Sequence, residues 1–225
     1  METLIMTPMQ KELDFFLQSC AKHGSRAEHS LLGRLPIVRL PEQNMTLARG
    51  GTGKAQFALQ TQHVLDTGIG WELVICAGAA GALIDGLSIG DVVVATSTVE
   101  HDYNNKFNNR PIPTFKGASS VITGLRLISP LFNSFRVRFG MVASGDEDVI
   151  DDERRTSLHQ STGALAVAWE GAGGARACQF SNIPFIEIRG ITDAANHSAP
   201  SDFETNLEVA MNNVAILIMS WISLM

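Results

Sequence analysis

The chain alternates short, almost continuously apolar segments with segments of helical periodicity, and this alternation limits the folds that it can adopt. The apolar segments include ELVICAGAAGAL, DVVVATSTV and PFIEIRGITD. Strands that are apolar on both faces are typical of sheets covered by helices on each side. No internal repeat, linker or low-complexity segment interrupts the pattern. We therefore expect an α/β fold, a single-domain three-layer α/β/α structure with a central mixed sheet, over residues 1–225.

Capping signals predict where the first and last helices begin. Thr7, followed by Pro8 and then by Gln10, predicts a capping box at the start of the first helix. Ser201 and Glu204 predict a second capping box before the final helix. Between the first two helices, LPIVRL and NMTLARG predict a pair of strands.

Composition and charge exclude several classes of partner. The 225 residues include 17 Lys and Arg against 23 Asp and Glu, a net charge of −6, so neither nucleic acid nor an anionic membrane is an expected partner. The apolar segment VAILIMSWISLM has twelve residues. A membrane-spanning helix needs about 20, so we expect a buried helix there. Cys20, Cys76 and Cys178 form no CxxC motif, which favours reduced thiols and a cytoplasmic location.

Charged residues follow several of the predicted strands. Arg189 and Asp193 end the apolar segment PFIEIRGITD, Glu170 follows another strand, and Glu12 lies in the helix after the first strand. Ligands of open α/β sheets bind beyond the carboxyl ends of strands, so three carboxylates and an arginine can converge there. Each also has a structural alternative. Glu12 could be a surface residue, Glu170 a helix N-terminal carboxylate and Asp193 a loop cap, and Arg189 could pair with Glu187.

Several motifs that often carry chemistry are present only in part. GLSIG matches a nucleophile elbow, but a strand rather than a helix follows, so we expect a turn. GTGK is followed by Ala55 where a phosphate loop has Ser or Thr, which favours a tight turn that lines a ligand pocket. GDEDVIDDERR lacks the spacing of a calcium loop and predicts a solvated helix start capped by Asp151 or Asp152. The six histidines have no paired ligand spacing, so no metal is expected.

Five segments, in order, resemble the purine nucleoside phosphorylase and uridine phosphorylase superfamily. They are TPMQKEL, CAGAAGALIDGLSIGDVVVAT, MVASGDEDVID, AVAWEGAGGARAC and PFIEIRGITDAANHSAPSDF. Within that superfamily the chain most resembles the methylthioadenosine/S-adenosylhomocysteine nucleosidases. The resemblance covers nearly the whole chain and implies a nucleoside phosphorylase-like domain that acts on a small-molecule nucleoside without a cofactor.

The resemblance also implies roles for individual residues. Glu12 corresponds to the catalytic glutamate, Asp193 to the catalytic aspartate and Arg189 to an arginine beside the attacking water. Glu170 corresponds to the glutamate that binds the ribose, and Trp169 stands where the nucleosidases have a methionine under the sugar.

Other positions depart from the family pattern. Ala79 replaces a serine that helps to hold the water. Val149 and Ile150 lie where a phenylalanine stacks on the purine, with one residue inserted. Phe107, in a segment that only loosely resembles its counterpart, corresponds to an aromatic residue lent to the neighbouring subunit of a homodimer.

The residue types suit cleavage of an N-glycosidic bond. A buried aspartic acid can protonate the departing purine, and a carboxylate can hold the ribose hydroxyls and stabilise the positive sugar. Neither Cys76 nor TPMQKE supplies the arginine that phosphorylases use for phosphate, which favours hydrolysis of 5′-thio-substituted adenosines to adenine and the thioribose. The alternatives are a hydrolase of another nucleoside, such as one of futalosine type, a phosphorylase, and a non-catalytic nucleoside-binding protein.

The segment NNKFNNRPIPTF favours a homodimer independently of the resemblance. Phe107, Ile112 and Phe115 lie there among asparagine and proline residues, a composition unsuited to a monomer's core. Apolar side chains on such a loop are typical of a surface buried by a partner.

Overall fold

A computed structural model describes residues 1–107 and 110–224 of the chain. Ten strands and six α-helices alternate along it. The strands are β1 (Thr3–Thr7), β2 (Glu28–Leu32), β3 (Leu35–Leu40), β4 (Met45–Arg49), β5 (Leu73–Ala82), β6 (Val92–Glu100), β7 (Thr114–Lys116), β8 (Val137–Ser144), β9 (Ala166–Ala168) and β10 (Phe185–Asp193). The helices are α1 (Gln10–Lys22), α2 (Lys54–Leu65), α3 (Ser119–Ile128), α4 (Asp152–Thr162), α5 (Gly171–Ser181) and α6 (Ala199–Ile222).

All ten strands belong to one mixed sheet. Strand β1 lies between β4 and β5, parallel to both, and β5 is also parallel to β10. Strand β10 runs antiparallel to β6, and β6 continues through β8 and β9 back to β5. The strands β5, β10, β6, β8 and β9 therefore pair in a closed ring, from which β1, β4, β3 and β2 extend as an open sheet. The mixed sheet that the sequence predicts is confirmed.

Successive strand residues point to opposite faces, and helices cover both faces. Ile5 and Ile75 belong to the apolar cluster that holds α1, α3 and α6 on one face. Leu4, Met6 and Cys76 belong to the cluster that holds α2 and α5 on the other. The three-layer arrangement follows directly from these strands having no polar face.

The C-terminal helix α6 packs in the first of these clusters. Its buried positions recur with helical spacing, and they include Leu207, Met211, Val214, Ile218 and Trp221. The expectation of a buried helix at this end of the chain is confirmed. Within the described residues, no helix combines the length and the apolar character that crossing a membrane requires.

Two predicted helix starts are wrong. Helix α1 begins at Gln10 rather than after Thr7, and Met9 is its N-cap because the carboxylate of Glu12 accepts the Met9 amide N–H at 2.7 Å. Glu12 thus lies in the first turn of α1. Helix α6 begins at Ala199, so Ser201 is inside the helix, where its hydroxyl donates to the Ser198 carbonyl instead of capping.

The turn segments agree with their sequence interpretation. GLSIG is a turn that leads into strand β6, and the amide of its Ser88 donates to Asp91, the residue that follows the turn. Asp151 caps α4 by accepting the Arg154 amide N–H at 2.7 Å. Gly51 and Gly53 have φ of +84° and +85°, a left-handed conformation that glycine adopts without strain. The GTGK turn thereby brings the chain tightly from β4 into α2.

Candidate active site

A cavity of about 510 Å³ opens where β1, β5, β9 and β10 end. Its lining includes the charged residues that the sequence predicts at strand ends, Glu12, Glu170, Arg189 and Asp193. The other lining residues are Pro8, Met9, Thr52, Ala79, Ala80, Gly81, Glu147, Asp148, Val149, Ile150, Val167, Ala168, Trp169, Thr192, Ala199, Pro200 and Phe203. Because β1, β5 and β10 are parallel, their carboxyl ends bring residues far apart in sequence to one place.

Glu12 is buried and held at both carboxylate oxygens. Oε1 accepts the amide N–H of Ala79 at 2.8 Å, and Oε2 accepts that of Met9 at 2.7 Å. Burial, followed by the charge of nearby Glu170, raises the pKa of Glu12 to about 7, against the lowering effect of the amides and Arg189. The alternative of a surface residue is wrong, and Glu12 can exchange a proton near neutral pH.

Glu170 follows β9 and stands at the N-terminus of α5. Its Oε1 accepts the amide N–H of Gly53 at 3.1 Å, and its Oε2 accepts from Arg189 at 3.3 Å. Burial raises the pKa of Glu170, and Arg189 opposes that rise. Its side chain makes no capping hydrogen bond to its own helix. The carboxylate therefore faces the cavity and Arg189.

Arg189 is fully buried beneath the cavity. Its Nε donates to Glu187 at 2.7 Å, its Nη1 to the Ala79 carbonyl at 3.2 Å and its Nη2 to Glu170 at 3.3 Å. The guanidinium thus pairs with Glu187, the alternative that the sequence left open, and also reaches the cavity. A Cβ at Gly78 would lie 2.6 Å from Nη1 and 2.8 Å from Glu12 Oε1, so glycine there leaves the space in which these two groups meet.

Asp193 ends β10 and lines the cavity. Its Oδ2 accepts the hydroxyl of Thr192 at 2.8 Å, and its Oδ1 accepts the amide of Ala195 at 2.9 Å. Burial raises the pKa of Asp193, and the two hydrogen bonds only partly counter this. Ala195 has a φ of +48°, uncommon for a residue with a side chain, and its amide serves Asp193.

The structure separates the remaining predicted site residues into two groups. Ala79, Val149, Ile150 and Trp169 line the cavity. Phe107 is absent from that lining and is fully exposed, and its neighbours Asn108 and Asn109 lie outside the described residues. Met9 and Phe203 also line the cavity, and neither was predicted from the sequence. Both flank helix starts that the capping signals placed wrongly, so a correct helix start is the signal that would have found them.

The described residues contain no group of three or more His, Cys, Asp or Glu side chains arranged to hold a metal ion. Two buried carboxylates with raised pKa values, Glu12 and Glu170, lie near the Arg189 guanidinium, and Asp193 at the end of its strand lines the same cavity. Such a set can donate a proton, accept one and stabilise a developing positive charge, as acid–base and electrostatic catalysis require.

Known proteins resemble this chain over most of its length. The 5′-methylthioadenosine/S-adenosylhomocysteine nucleosidase of Shewanella denitrificans is 25% identical, with 96% of each chain covered. The nucleosidase of the same name from Staphylococcus haemolyticus is 28% identical over 83% of this chain and 85% of its own.

Solved structures also resemble the protein. One is a crystal structure of a mutant of the Helicobacter pylori 5′-methylthioadenosine/S-adenosylhomocysteine nucleosidase (MTAN), with 5′-methylthioadenosine in the active site. It has a TM-score of 0.89 and 26% identity, and the match covers 100% of this chain and 99% of that one. The futalosine hydrolase of the same organism has a TM-score of 0.87 and 25% identity, and covers 99% of this chain and 97% of its own.

A sequence model described as the phosphorylase superfamily matches residues 2–223. The match extends over all the strands and helices that form the sheet and the cavity. The protein therefore belongs to the phosphorylase superfamily.

Proposed function

We propose that the protein is a purine nucleosidase that hydrolyses the N-glycosidic bond of 5′-thio-substituted adenosines, releasing adenine and the thioribose without a cofactor. The observation that carries this proposal is the convergence of Glu12, Glu170 and Asp193 on one cavity, each with a raised pKa. The nucleosidase names of its relatives agree with it.

Asp193 is the proposed general acid. Adenine leaves easily only when its ring nitrogen N7 gains a proton, because the adenine anion is a poor leaving group. The raised pKa of Asp193 favours the protonated form. A general acid is worth roughly 10²–10⁴-fold in rate.

Glu170 is the proposed ribose-binding residue. Its hydrogen bonds to Gly53 and Arg189, at 3.1 and 3.3 Å, are longer than charge-assisted bonds of about 2.8 Å. Its oxygens therefore retain capacity to accept from the 2′ and 3′ hydroxyls. The negative charge also stabilises the oxocarbenium-like sugar that departure of the base leaves.

Glu12 is the proposed base that takes a proton from the attacking water, and Arg189 orients Glu12 or that water. A pKa of about 7 is suited to a base that works near neutral pH. Ala79 contributes its amide to Glu12 and no hydroxyl, so the water at this site has one fewer side-chain partner than a serine would give.

Hydrolysis rather than phosphorolysis is supported by the charges of the cavity. Arg189 is the only cationic side chain among the described lining residues, and it is already bonded to Glu187 and Glu170. A phosphate dianion would face the five lining carboxylates, Glu12, Glu147, Asp148, Glu170 and Asp193, with no free cation among the described lining residues. Product should therefore form at the same rate with and without inorganic phosphate. Ribose 1-phosphate derivatives that appear only with phosphate would identify a phosphorylase instead.

The 5′ substituent would contact an apolar wall. Pro8 and Met9, next to Glu12, and Phe203, at the start of α6, provide apolar surface that suits an alkylthio group. Futalosine is a second candidate substrate, because the futalosine hydrolase structure is as similar as several of the nucleosidases. Incubation with 5′-methylthioadenosine, S-adenosylhomocysteine, adenosine and futalosine, with product identification by chromatography, separates the candidates. Activity on futalosine alone would overturn the 5′-thioadenosine assignment.

We also propose a homodimer in which Phe107 contributes to the partner's 5′ pocket. Phe107 is fully exposed and Ile112 is 40% exposed, and exposed apolar side chains of this kind are typical of a protein–protein interface. Phe115, which the sequence analysis placed with them in a loop, instead lies in strand β7 and packs partly against the core. Sedimentation should give the dimer mass. Phe107→Ala should weaken binding of long 5′-thio substrates more than of adenosine, and a fully active monomer would contradict the proposal.

The proposal includes one nucleoside phosphorylase-like domain over residues 1–225 and a cytoplasmic location. Continuous pairing of all ten strands supports a single domain. The three cysteines are free and buried, which suits a reducing compartment.

A further inference from the structure

Glu187 is a buried carboxylate that does not line the cavity. It lies on β10 two residues before Arg189, so both side chains point to the same face of the sheet. Its Oε1 accepts from Arg189 Nε at 2.7 Å, and its Oε2 accepts from the hydroxyl of buried Thr98 at 2.5 Å. Both oxygens of Glu187 therefore have a donor, one of them the arginine of the proposed active site.

The surroundings of Glu187 accommodate its charge. A Cβ at Gly171 would lie 2.1 Å from Glu187 Oε2, so the carboxylate packs directly against the backbone of the first residue of α5. A helix N-terminus favours a negative charge. Arg189, Thr98 and this helix end thus stabilise an ionised group that would otherwise be costly to bury.

The hydrogen bond to Glu187 is also the shortest one that Arg189 makes. The bonds from the guanidinium to the Ala79 carbonyl, Glu170 and the Cys76 sulfur are 3.2, 3.3 and 3.4 Å. Without Glu187, the positive charge of Arg189 would attract Glu170 and Glu12 more strongly, and these are the carboxylates that the reaction needs. Since Arg189 is buried, no water would compensate for the loss.

We propose that Glu187 is a positioning residue, which fixes Arg189 through its Nε and takes up its charge so that Glu12 and Glu170 stay available to the water and the ribose. This inference rests on the proposed nucleosidase function. Glu187 does not touch the substrate. It acts through Arg189, and Thr98 fixes Glu187 in turn.

The groups facing Glu12 determine the sign of the expected pH effect. Amides of Met9 and Ala79 donate to it, Glu170 faces it from the start of α5, and Arg189 faces it from β10. The charge of Glu12 also acts on the buried Cys76 thiol on β5, Glu187 on β10 bonds to Arg189, and Asp193 on β10 lines the same cavity. Removing the negative charge of Glu187 leaves Arg189 uncompensated, which favours the ionised form of Glu12. The pKa of Glu12 should then fall.

The test compares Glu187→Gln with Asp91→Asn. Asp91 is also a buried carboxylate bonded to an arginine, Arg136, but it does not line the cavity. Both variants should unfold at lower temperature than the wild type. Only Glu187→Gln should lower kcat/KM, by about tenfold or more as expected for loss of a charged hydrogen bond, and move the pH optimum to lower pH. Equal pH optima in the wild type and Glu187→Gln would overturn the proposal.

Carbon-13 NMR titration of labelled glutamate, with Glu12 assigned from a Glu12→Gln sample, measures the pKa of Glu12 without any substrate. A lower pKa in Glu187→Gln supports the inference, and an unchanged pKa overturns it. If the wild type cleaves no nucleoside, the proposed function fails while this titration still decides the role of Glu187.

Thr98 provides a second variant pair if Glu187→Gln does not fold. Thr98→Val removes the hydroxyl that donates to Glu187 and should lower kcat several-fold, whereas Thr98→Ser should restore it. Wild-type kcat in Thr98→Val would contradict the proposal.

Discussion

Two groups of carboxylates lie close to the cavity, and their pKa values shift in opposite directions. The cavity group, Glu12, Glu170 and Asp193, is buried, and Arg189 is the one cation among the described residues that line the cavity. The rim group, Asp102 and Glu147, is paired with Lys54 and Arg154. Within the described chain, therefore, the rim group has one cation for each carboxylate, and the cavity group has one cation for three carboxylates.

The causes of the shifts follow from this difference. Burial raises the pKa of Glu12, Glu170 and Asp193, and their hydrogen bonds do not reverse it. The hydrogen bond from Arg154 lowers the pKa of Glu147. Burial raises the pKa of Asp102 too, but bonds from Lys54 and the Asp146 amide outweigh it and lower that pKa. The rim group stabilises structure, and the cavity group is left ready to exchange protons.

The largest effect should come from Asp193→Asn. The amide cannot donate a proton as an acid does, so turnover should fall at least roughly 10²-fold. Circular dichroism and the unfolding midpoint should show that the variant is folded. Near-normal turnover in a folded Asp193→Asn protein would remove Asp193 from the mechanism and weaken the contrast between cavity and rim.

Glu12 should make the protein less stable as pH rises. Its folded pKa of about 7 exceeds the ordinary value of 4.5, so its contribution to stability is present below 4.5 and is lost as pH rises through 7. Between pH 5 and 8 the wild type should lose roughly 3 kcal/mol of unfolding free energy relative to Glu12→Gln. Urea unfolding of both proteins at the two pH values measures this. A parallel pH dependence would show that Glu12 titrates normally.

Glu170→Gln should distinguish a ribose contact from a structural one. A neutral amide accepts more weakly than a carboxylate, so cleavage of a substrate with both ribose hydroxyls should fall about tenfold more than cleavage of its 2′-deoxy analogue. Steady-state kinetics on the two substrates give the ratio. Equal losses on both would assign Glu170 a structural role beside Gly53 and Arg189.

The cavity residues also show which features of the site could be predicted from the sequence. Glu12, Glu170, Arg189 and Asp193 could be placed at one end of the sheet because a strand's carboxyl end is readable from its apolar run. The ion pair between Arg189 and Glu187 could not be decided from the sequence. Two side chains on one strand can pair or point apart, according to what packs over them. The packing over Glu187 comes from Gly171 of helix α5, which belongs to a different part of the sequence.

The lining residues at helix starts show the same limit. Phe203 joins the cavity because α6 begins at Ala199, and the capping signal at Ser201 suggested a later start. Capping preferences amount to about 1 kcal/mol, so tertiary packing of the long apolar face of α6 decides the boundary instead. The rim pairs were equally unreadable, since Lys54 and Asp102 lie on segments that only the folded sheet brings together.

The smallest effect should follow from Arg154→Ala at the rim. Arg154 bonds to both oxygens of Glu147 at 2.6 Å, but both side chains are about one-third exposed, so water screens the pair and its loss should cost about 0.5 kcal/mol. Glu147 has a lowered pKa, so this stability is present at neutral pH and is lost as pH falls through the folded pKa. Urea unfolding at pH 7 and at pH 3 should show the difference only at pH 7. A loss that grows in acid would mean that Arg154 contributes by packing, and that the rim does not oppose the cavity in its response to pH.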